Sequence, residues 1–268
     1  MPRELYLQKT HPFQLEPRPV PGKIALKQGR RLILVMAARP PCHEAQSQPN
    51  KGNGSAGMNI QGKSLYHEVH ARSLADPEGF WAEAAKEIDW IEPPKKIFDP
   101  SQGTYGRWFT GGVVNTCYNA LDRHVEGGRA GQVALIHDSP LTGSVAKFTY
   151  AELLNEVQAL AAIMQDFGVA KGDRVILYMP MVPEAVVGML ACARIGAVHS
   201  VVFGGFAAKE LATRIDDAQP KLILSASCGI EPGRIVQYKP LLDEAIKLSS
   251  VKPQACICLL YTSPSPRD

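Results

Sequence analysis

The chain has 268 residues, which is enough to bury the core of one large domain or of two small ones. Its 45% hydrophobic and 21% charged residues are typical of a globular protein, and a net charge of +3 is too small to indicate a nucleic-acid partner. No apolar run approaches the ~20 residues that a membrane-spanning helix needs.

The six cysteines are scattered along the chain, and several lie inside apolar runs. A disulfide framework is typical of small secreted domains, so we expect structural thiols in a reducing compartment. Only Cys256 and Cys258 are close in sequence, and this pair lacks the further Cys or His ligands that a zinc site requires. We therefore expect no metal site on these residues.

Residues 1–64 are rich in Pro, Gly, Asn, Gln and Lys and show no sustained periodicity, which predicts a mostly disordered leader. The stretch "RRLILVMAARPP" within it is compatible with a mitochondrial import segment. Glu4, Glu16 and several prolines are atypical of such a segment. An untranslated leader, with Met36 or Met58 as the true start, is an equal alternative.

Residues 65–130 are predicted to form a mainly helical segment. In "DPEGFWAEAAKEIDW", Asp76 suits an N-cap, Pro77 suits the first helical position, and apolar residues recur at helical spacing. Further on, "NALDRHVEGG" predicts a helix in which Asp122 and Arg123 pair locally. No nucleophile poised on a base accompanies these residues, so we expect a structural role for them.

Residues 131–257 alternate between predicted strands and predicted helices. The strands are "VALIHD", "DRVILYMP", "AVHSVVF", "KLILSAS" and "ACICL". Three of them start 23 residues apart, near Val175, Val198 and Lys221, which leaves room for one helix in each parallel crossover. Because these strands are continuously apolar, both faces of the sheet should be covered by helices. The pattern predicts a doubly wound, mostly parallel α/β fold.

Two loops with unusual chemistry leave the carboxyl ends of predicted strands, where ligands bind in open α/β sheets. The first is "FGGF" (Phe203–Phe206), and the second is "SCGIEPGR" (Ser227–Arg234), which contains a turn, a carboxylate and a guanidinium. The alternatives are a plain tight turn at Gly204–Gly205 and a solvated surface charge at Arg234. At a neighbouring strand end, Tyr178 is predicted to be a core residue.

Two long stretches resemble the AMP-forming short-chain acyl-CoA synthetases, which activate acetate and propionate. They are "RWFTGGVVNTCYNALDRHVEGG" and "YMPMVPEAVVGMLACARIGAVHSVVFGGFAAKELATRIDDAQPKLILSAS", and the similarity extends from about Tyr66 to Cys256. "GIEPGR" is similar to the propionate-type branch, because the acetate-type branch usually carries Arg at the position of Glu231. The resemblance implies a truncated AMP-binding α/β domain in residues 131–257, preceded by an acetyl-CoA-synthetase-type segment.

The resemblance also implies a coenzyme A site, formed by Glu231, Pro232, Gly233 and Arg234 with Phe203, Gly204 and Gly205 beside it. Arg234 can fork onto a phosphate oxygen of the nucleotide, and glycine N–H groups can line the pantetheine path. In this family a carboxylate reacts with Mg-ATP to give acyl-AMP and pyrophosphate, and coenzyme A then displaces AMP. The implied location is the mitochondrial matrix, with the cytoplasm as the alternative.

Residues 258–268, "CLLYTSPSPRD", resemble a translated sequencing adaptor, and we expect them to be an artefact. Their Tyr-Thr-Ser resembles the start of the family's Thr-Ser-Gly-Thr-Thr-Gly-x-Pro-Lys ATP loop, but both glycines and the Lys are missing. Pro264 and Pro266 also remove N–H donors that such a loop would use. We therefore expect this polypeptide to be inactive in adenylation. The alternative is a non-catalytic short isoform that binds coenzyme A or serves as a partner subunit.

Overall fold

The computed structural model describes residues 33–37, 64–205 and 207–260. The helices are α1 (Tyr66–Ala75), α2 (Pro77–Ala84), α3 (Tyr150–Asp166), α4 (Pro183–Ile195), α5 (Ala208–Ala218) and α6 (Tyr238–Leu248). The strands are β1 (Ile33–Ala37), β2 (Trp90–Glu92), β3 (Lys96–Asp99), β4 (Arg107–Thr110), β5 (Val113–Val114), β6 (Val133–Ser139), β7 (Ser144–Thr149), β8 (Arg174–Met179), β9 (Val198–Phe203), β10 (Leu222–Ala226), β11 (Cys228–Glu231), β12 (Arg234–Gln237) and β13 (Ala255–Leu260). Among the described helices, none combines the length and apolar character needed to cross a membrane.

Five strands form one parallel sheet in the order β1-β13-β10-β8-β9. β8 lies inside this sheet, with β9 on one side and β10 on the other. A helix connects β8 to β9 and another connects β9 to β10, as parallel pairing requires. The predicted crossovers are therefore confirmed.

Both faces of the sheet are buried under helices. Val175 and Leu177 of β8 belong to the core beneath α3 and α4, whereas Ile176 and Tyr178 belong to the core beneath α5 and α6. All four side chains are at most 1% exposed. Alternate residues of one strand thus serve two separate cores, which explains why its sequence is continuously apolar. The doubly wound α/β prediction is confirmed.

The longest helix, α3, begins and ends at the residues that its sequence favours. The Thr149 hydroxyl accepts a hydrogen bond from the Glu152 backbone N–H, and the Glu152 carboxylate accepts one from the Thr149 N–H. This capping box satisfies two otherwise free donors of the first turn. At the other end, Gly168 adopts a φ of 77°, a conformation that favours glycine and stops the helix.

The first predicted strand of the α/β region, β6, is not part of the parallel sheet. It pairs antiparallel with β7, from Val133 opposite Thr149 to Ser139 opposite Ser144. Exposed and partly buried residues alternate along β6, which is typical of an antiparallel pair with one solvated face. β7 was not predicted from the sequence, because it has only six residues and leads directly into the N-cap of α3.

The segment before the α/β region is largely helical, as predicted. Besides α1 and α2 it contains a single 3₁₀ turn at Ala85–Glu87 and a helical stretch over residues 116–129, so the helix predicted for "NALDRHVEGG" is confirmed. The N-cap of α2 is as predicted, since Asp76 Oδ1 accepts a hydrogen bond from the Gly79 N–H at 3.0 Å. After α2, however, the chain forms two small antiparallel pairs, β2 with β5 and β3 with β4. Trp108 of β4 stacks on Phe98 of β3, with ring centroids 4.6 Å apart. Such cross-strand aromatic pairs stabilise short strands that helical periodicity cannot reveal.

Both ends of the described chain contribute strands to the parallel sheet. Ile33–Ala37, within the leader predicted to be mostly disordered, forms β1 and pairs in parallel with β13. β13 spans Ala255–Leu260, so the strand predicted for "ACICL" is confirmed, and the artefactual origin of residues 258–268 stays a prediction. The rest of the leader, the remainder of the candidate import segment, and residues 261–268 lie outside the described residues.

The predicted local pairing of Asp122 with Arg123 is wrong. The Arg194 guanidinium at the end of α4 donates to both Asp122 carboxylate oxygens, at 2.8 and 3.0 Å, and both side chains are only 11% exposed. Arg123 instead reaches Asp89, at 3.5 Å. Burial alone would lower the pKa of Arg194, but the hydrogen bond and charge of Asp122 more than offset this, so the pKa is raised. This ion pair ties the N-terminal segment to the α/β core.

Replacing Asp122 with Ala is expected to destabilise the protein by about 3–5 kcal/mol, because the Arg194 charge would remain buried without its partner. The measurement is the free energy of unfolding in urea. Asp89→Ala is the matched control, since the exposed Asp89–Arg123 pair should contribute at most about 1 kcal/mol. Equal losses from the two variants would contradict this interpretation.

The described cysteines are all free thiols, and three of them should resist alkylation while the protein is folded. Cys117, Cys192 and Cys258 are at most 2% exposed. Burial raises the pKa of Cys117, that of Cys192 to about 12, and that of Cys258 to about 11. At pH 8 a pKa of 12 leaves roughly one thiol in ten thousand as the reactive thiolate. Iodoacetamide labelling followed by mass spectrometry should modify these positions only after denaturant is added, and rapid native labelling would argue against this core.

Candidate functional site

The candidate site lies at the carboxyl edge of the sheet, where β8 separates β9 from β10. The register places Phe203 beside Met179 and Ser225 beside Tyr178, so the ends of these three strands are level. The chain leaves β8 for β9 on one side and continues from β9 to β10 on the other. The helices that follow β8 and β10 lie on opposite faces. This is a topological switch point, the place where open α/β sheets form a ligand crevice.

The predicted loop after β10 is a β-hairpin. β11 and β12 pair antiparallel, with Cys228 opposite Gln237 and Glu231 opposite Arg234. Pro232 and Gly233 form the two-residue turn, and Gly233 has a φ of 75°, which a glycine adopts without strain. The Pro232–Gly233 turn was predicted from the sequence, but β11 and β12 on either side of it were not.

The base of the hairpin is fixed to the sheet through Ser227. Its carbonyl oxygen accepts hydrogen bonds from the backbone N–H groups of Tyr238 and Lys239, at 3.0 and 3.1 Å. Its own N–H donates to the Leu259 carbonyl of β13 at 2.8 Å. The chain therefore leaves the sheet edge and returns to it at one point, so the hairpin projects from a rigid support.

The tip of the hairpin carries an ion pair between Glu231 and Arg234. The Arg234 Nε and Nη2 atoms lie 2.8 and 2.6 Å from Glu231 Oε2. The Arg234 side chain is 71% exposed, and exposed pairs of this kind are weak because water screens them. The guanidinium has five N–H groups, so it retains donors that face solvent while it holds the carboxylate.

The second predicted segment, Phe203–Gly204–Gly205, lies directly at the end of β9. Phe203 is 70% exposed, so its aromatic ring is available at the edge of the crevice. A Cβ atom at Gly205 would lie 2.7 Å from Cε1 of that ring. The ring and the glycine backbone are thus in close contact, and a larger residue at Gly205 would displace the ring. Phe206, which completed the predicted loop, lies outside the described residues.

Tyr238, at the start of α6, brings the two predicted segments together. A Cβ atom at Gly204 would lie 2.6 Å from the Tyr238 Cζ atom, and one at Gly229 of the hairpin would lie 2.8 Å from the same atom. The Tyr238 side chain is only 4% exposed. The segment after β9 and the hairpin after β10 therefore pack against one aromatic ring and share one edge of the sheet.

Sequence reasoning did not identify Tyr238 as part of the site. Its ring packs on that of Tyr178, with centroids 5.1 Å apart and planes inclined by 35°. Burial raises the pKa of Tyr178 to about 12, and burial followed by the nearby Glu231 charge raises that of Tyr238, so both hydroxyls stay protonated at physiological pH. Tyr238 directly follows β12 and begins α6, and no local sequence pattern marks it as a site residue.

One open groove lies elsewhere in the described chain, on the N-terminal segment. It has a volume of about 480 Å³ and is lined by Ala75, Asp76, Pro77, Glu78, Phe98 and Trp108. None of the predicted site residues lines it. In the described part of the chain, no three His, Cys, Asp or Glu side chains are arranged to hold a metal ion. The candidate site is therefore defined by its position at the switch point of the sheet.

Two protein-family models together match nearly all of the described chain. Residues 66–120 match the model described as acetyl-coenzyme A synthetase N-terminus, and residues 121–266 match the model described as AMP-binding enzyme. Human acyl-CoA synthetase short-chain family member 3, mitochondrial, is 47% identical over 214 residues, which are 80% of this chain and 31% of that protein. Propionate–CoA ligase of Salmonella typhimurium is 48% identical over 189 residues, covering 70% of this chain and 30% of that protein.

Among solved structures, acetoacetyl-CoA synthetase from Streptomyces lividans has a similar fold, with a TM-score of 0.67 at 24% identity. The similarity covers 76% of this chain and 31% of that one. The chain thus spans about a third of the length of these proteins. Because the AMP-binding model matches more than half of its residues, the chain belongs to the AMP-binding enzyme family, and its N-terminal segment is of the acetyl-coenzyme A synthetase type.

Proposed function

We propose that this chain is the leading part of an ATP-dependent, AMP-forming short-chain acyl-CoA synthetase that acts on propionate, with acetate as the second candidate. The enzyme would convert the carboxylate, ATP and coenzyme A to acyl-CoA, AMP and pyrophosphate. The support is the 47–48% identity to proteins named acyl-CoA synthetase and propionate–CoA ligase. Since the chain spans about a third of those proteins, it supplies one portion of the enzyme.

The portion that this chain supplies is a binding surface for coenzyme A. The observation that carries this proposal is that Phe203–Gly205 and the hairpin that bears Glu231–Arg234 pack against one ring, Tyr238, at the switch point of the sheet. Arg234 offers exposed N–H donors to a phosphate, and such charge-assisted hydrogen bonds are strong. Phe203 offers an exposed apolar ring, and the glycines let a ligand approach the backbone closely.

We place Mg-ATP binding and the adenylation step on residues other than those described. The described residues offer no carboxylate cluster for a metal, and the printed sequence contains no Thr-Ser-Gly-Thr-Thr-Gly-x-Pro-Lys loop to hold the phosphates. For location we propose the mitochondrial matrix, because the human relative is named mitochondrial. The cytoplasm is the alternative, since a bacterial ligase is equally similar.

The second candidate function is a non-catalytic short isoform that holds coenzyme A or acts as a partner subunit. It would use the same candidate site, the hairpin and the Phe203–Gly205 segment, without adenylation. The transcript distinguishes the two candidates. Continuation into a glycine-rich Thr-Ser loop after Cys256 supports the enzyme, whereas a genuine stop codon supports the short isoform.

Replacing Arg234 with Ala is expected to weaken coenzyme A binding by about 10- to 150-fold, since a hydrogen bond to a charged group is worth about 1.5–3 kcal/mol. Isothermal titration of the chain with coenzyme A measures this affinity. Dephospho-coenzyme A serves as a second probe, because a contact with the 3′-phosphate predicts that Arg234→Ala has no effect on its binding.

The matched control for this titration is Arg107→Ala, which removes an exposed arginine from β4, outside the candidate site. It should leave the affinity unchanged apart from a small effect of net charge. If the unaltered chain does not bind coenzyme A, or if both arginine variants weaken binding equally, the proposed site is wrong.

The 268-residue chain by itself is expected to release no pyrophosphate from ATP in the presence of propionate, because the printed sequence lacks the phosphate-binding loop. A coupled pyrophosphate assay measures this, with a blank that contains no protein. Release above the blank that persists after further purification would show that adenylation residues are present on this chain.

A further inference from the structure

We infer that Tyr238 is a positioning residue, which holds the Phe203–Gly205 segment and the hairpin in one fixed arrangement so that they bind coenzyme A together. The inference rests on the proposed function and adds a residue to it. Tyr238 is buried, so we assign it a role that acts through its two neighbours. It was absent from the residues predicted from the sequence.

The Tyr238 ring contacts both the segment after β9 and the hairpin after β10. A Cβ atom at Gly204 would come within 2.6 Å of Tyr238 Cζ and 2.7 Å of Cε2, and one at Gly229 would come within 2.7 Å of the hydroxyl oxygen. Real Cβ atoms essentially never approach other atoms this closely. Glycine at both positions is therefore what allows the ring to lie between the segments.

Tyr238 is itself anchored to the sheet. The Tyr238 backbone N–H donates to the Ser227 carbonyl at the base of the hairpin, at 3.0 Å. Its ring packs on Tyr178, which is fully buried in β8 between the two strands that lead to the site. Aromatic rings that pack at such centroid distances add attraction beyond their buried area. Tyr238 thus links the central strand to both ligand-binding segments.

The consequence is that the two segments should behave as one unit. A methyl group added at Gly204 would press on the ring, and the ring would press on the hairpin at Gly229. Residues that share a packing partner show non-additive effects, whereas independent sites add. Replacing the ring by a smaller side chain should remove the connection and make the two positions independent.

The test is a set of coenzyme A titrations on the chain with Gly204→Ala, Gly229→Ala and both together. We expect each single variant to weaken binding by about 10-fold or more, and the double variant to lose clearly less than the product of the two. In the Tyr238→Leu background the same two changes should become multiplicative. Multiplicative losses in the presence of Tyr238 would overturn the inference.

Amide hydrogen exchange provides a readout that does not depend on coenzyme A. In Tyr238→Leu the backbone N–H groups of Gly204 and Gly229 should both exchange about 10-fold faster, because local opening is no longer opposed by the ring. Tyr238→Phe keeps the ring and should restore both exchange protection and coenzyme A affinity to within a few-fold. Unchanged exchange in Tyr238→Leu would refute the positioning role.

The control for general destabilisation is Val157→Ala in α3, which removes a fully buried side chain from the core on the other face of the sheet. It should lower the free energy of unfolding without selectively accelerating exchange at Gly204 and Gly229. If the unaltered chain shows this coupled exchange but does not bind coenzyme A, the proposed function fails, while the mechanical role of Tyr238 is upheld.

Discussion

The position of β8 between β9 and β10 is the constraint on which the rest of the molecule depends. A parallel strand with neighbours on both sides must bury both faces. Helices α3 and α4 cover one face of β8, and α5 and α6 cover the other. The segments after β9 and β10 leave the same carboxyl edge of this sheet. The location of the site thus follows from the order of strands before any side-chain chemistry is considered.

The same constraint explains which part of the fold was predictable from the sequence. Continuous apolar strands at regular spacing, joined by helices with a clear cap such as Thr149, predicted the parallel sheet and both layers. Residues 65–130 were less predictable, because β2–β5 have two to four residues each and are defined by cross-strand contacts. The partner of Asp122 was missed for a related reason. Arg194 is 72 residues away, and only the folded chain brings the two charges together.

The candidate site shows the same division between local and long-range information. The Pro232–Gly233 turn and the paired glycines after β9 are local signals, and the sequence located them. Tyr238 gives no such signal, because its importance comes from contacts with Gly204, 34 positions earlier, and with Tyr178 on another strand. A family resemblance identifies the residues that contact a ligand more readily than the residues that position them.

The charge at the hairpin tip suggests how such a surface could select its ligand. The Glu231 carboxylate balances the Arg234 guanidinium, so the tip carries little net charge and should attract phosphates weakly at long range. A ligand that contacts only the guanidinium must compete with Glu231. One that also contacts Phe203 and the glycine backbone gains further interactions, provided that both segments are held in register. Selectivity for a long, phosphate-bearing thiol over a free phosphate would then come from geometry, which is the property that we propose the Tyr238 ring controls.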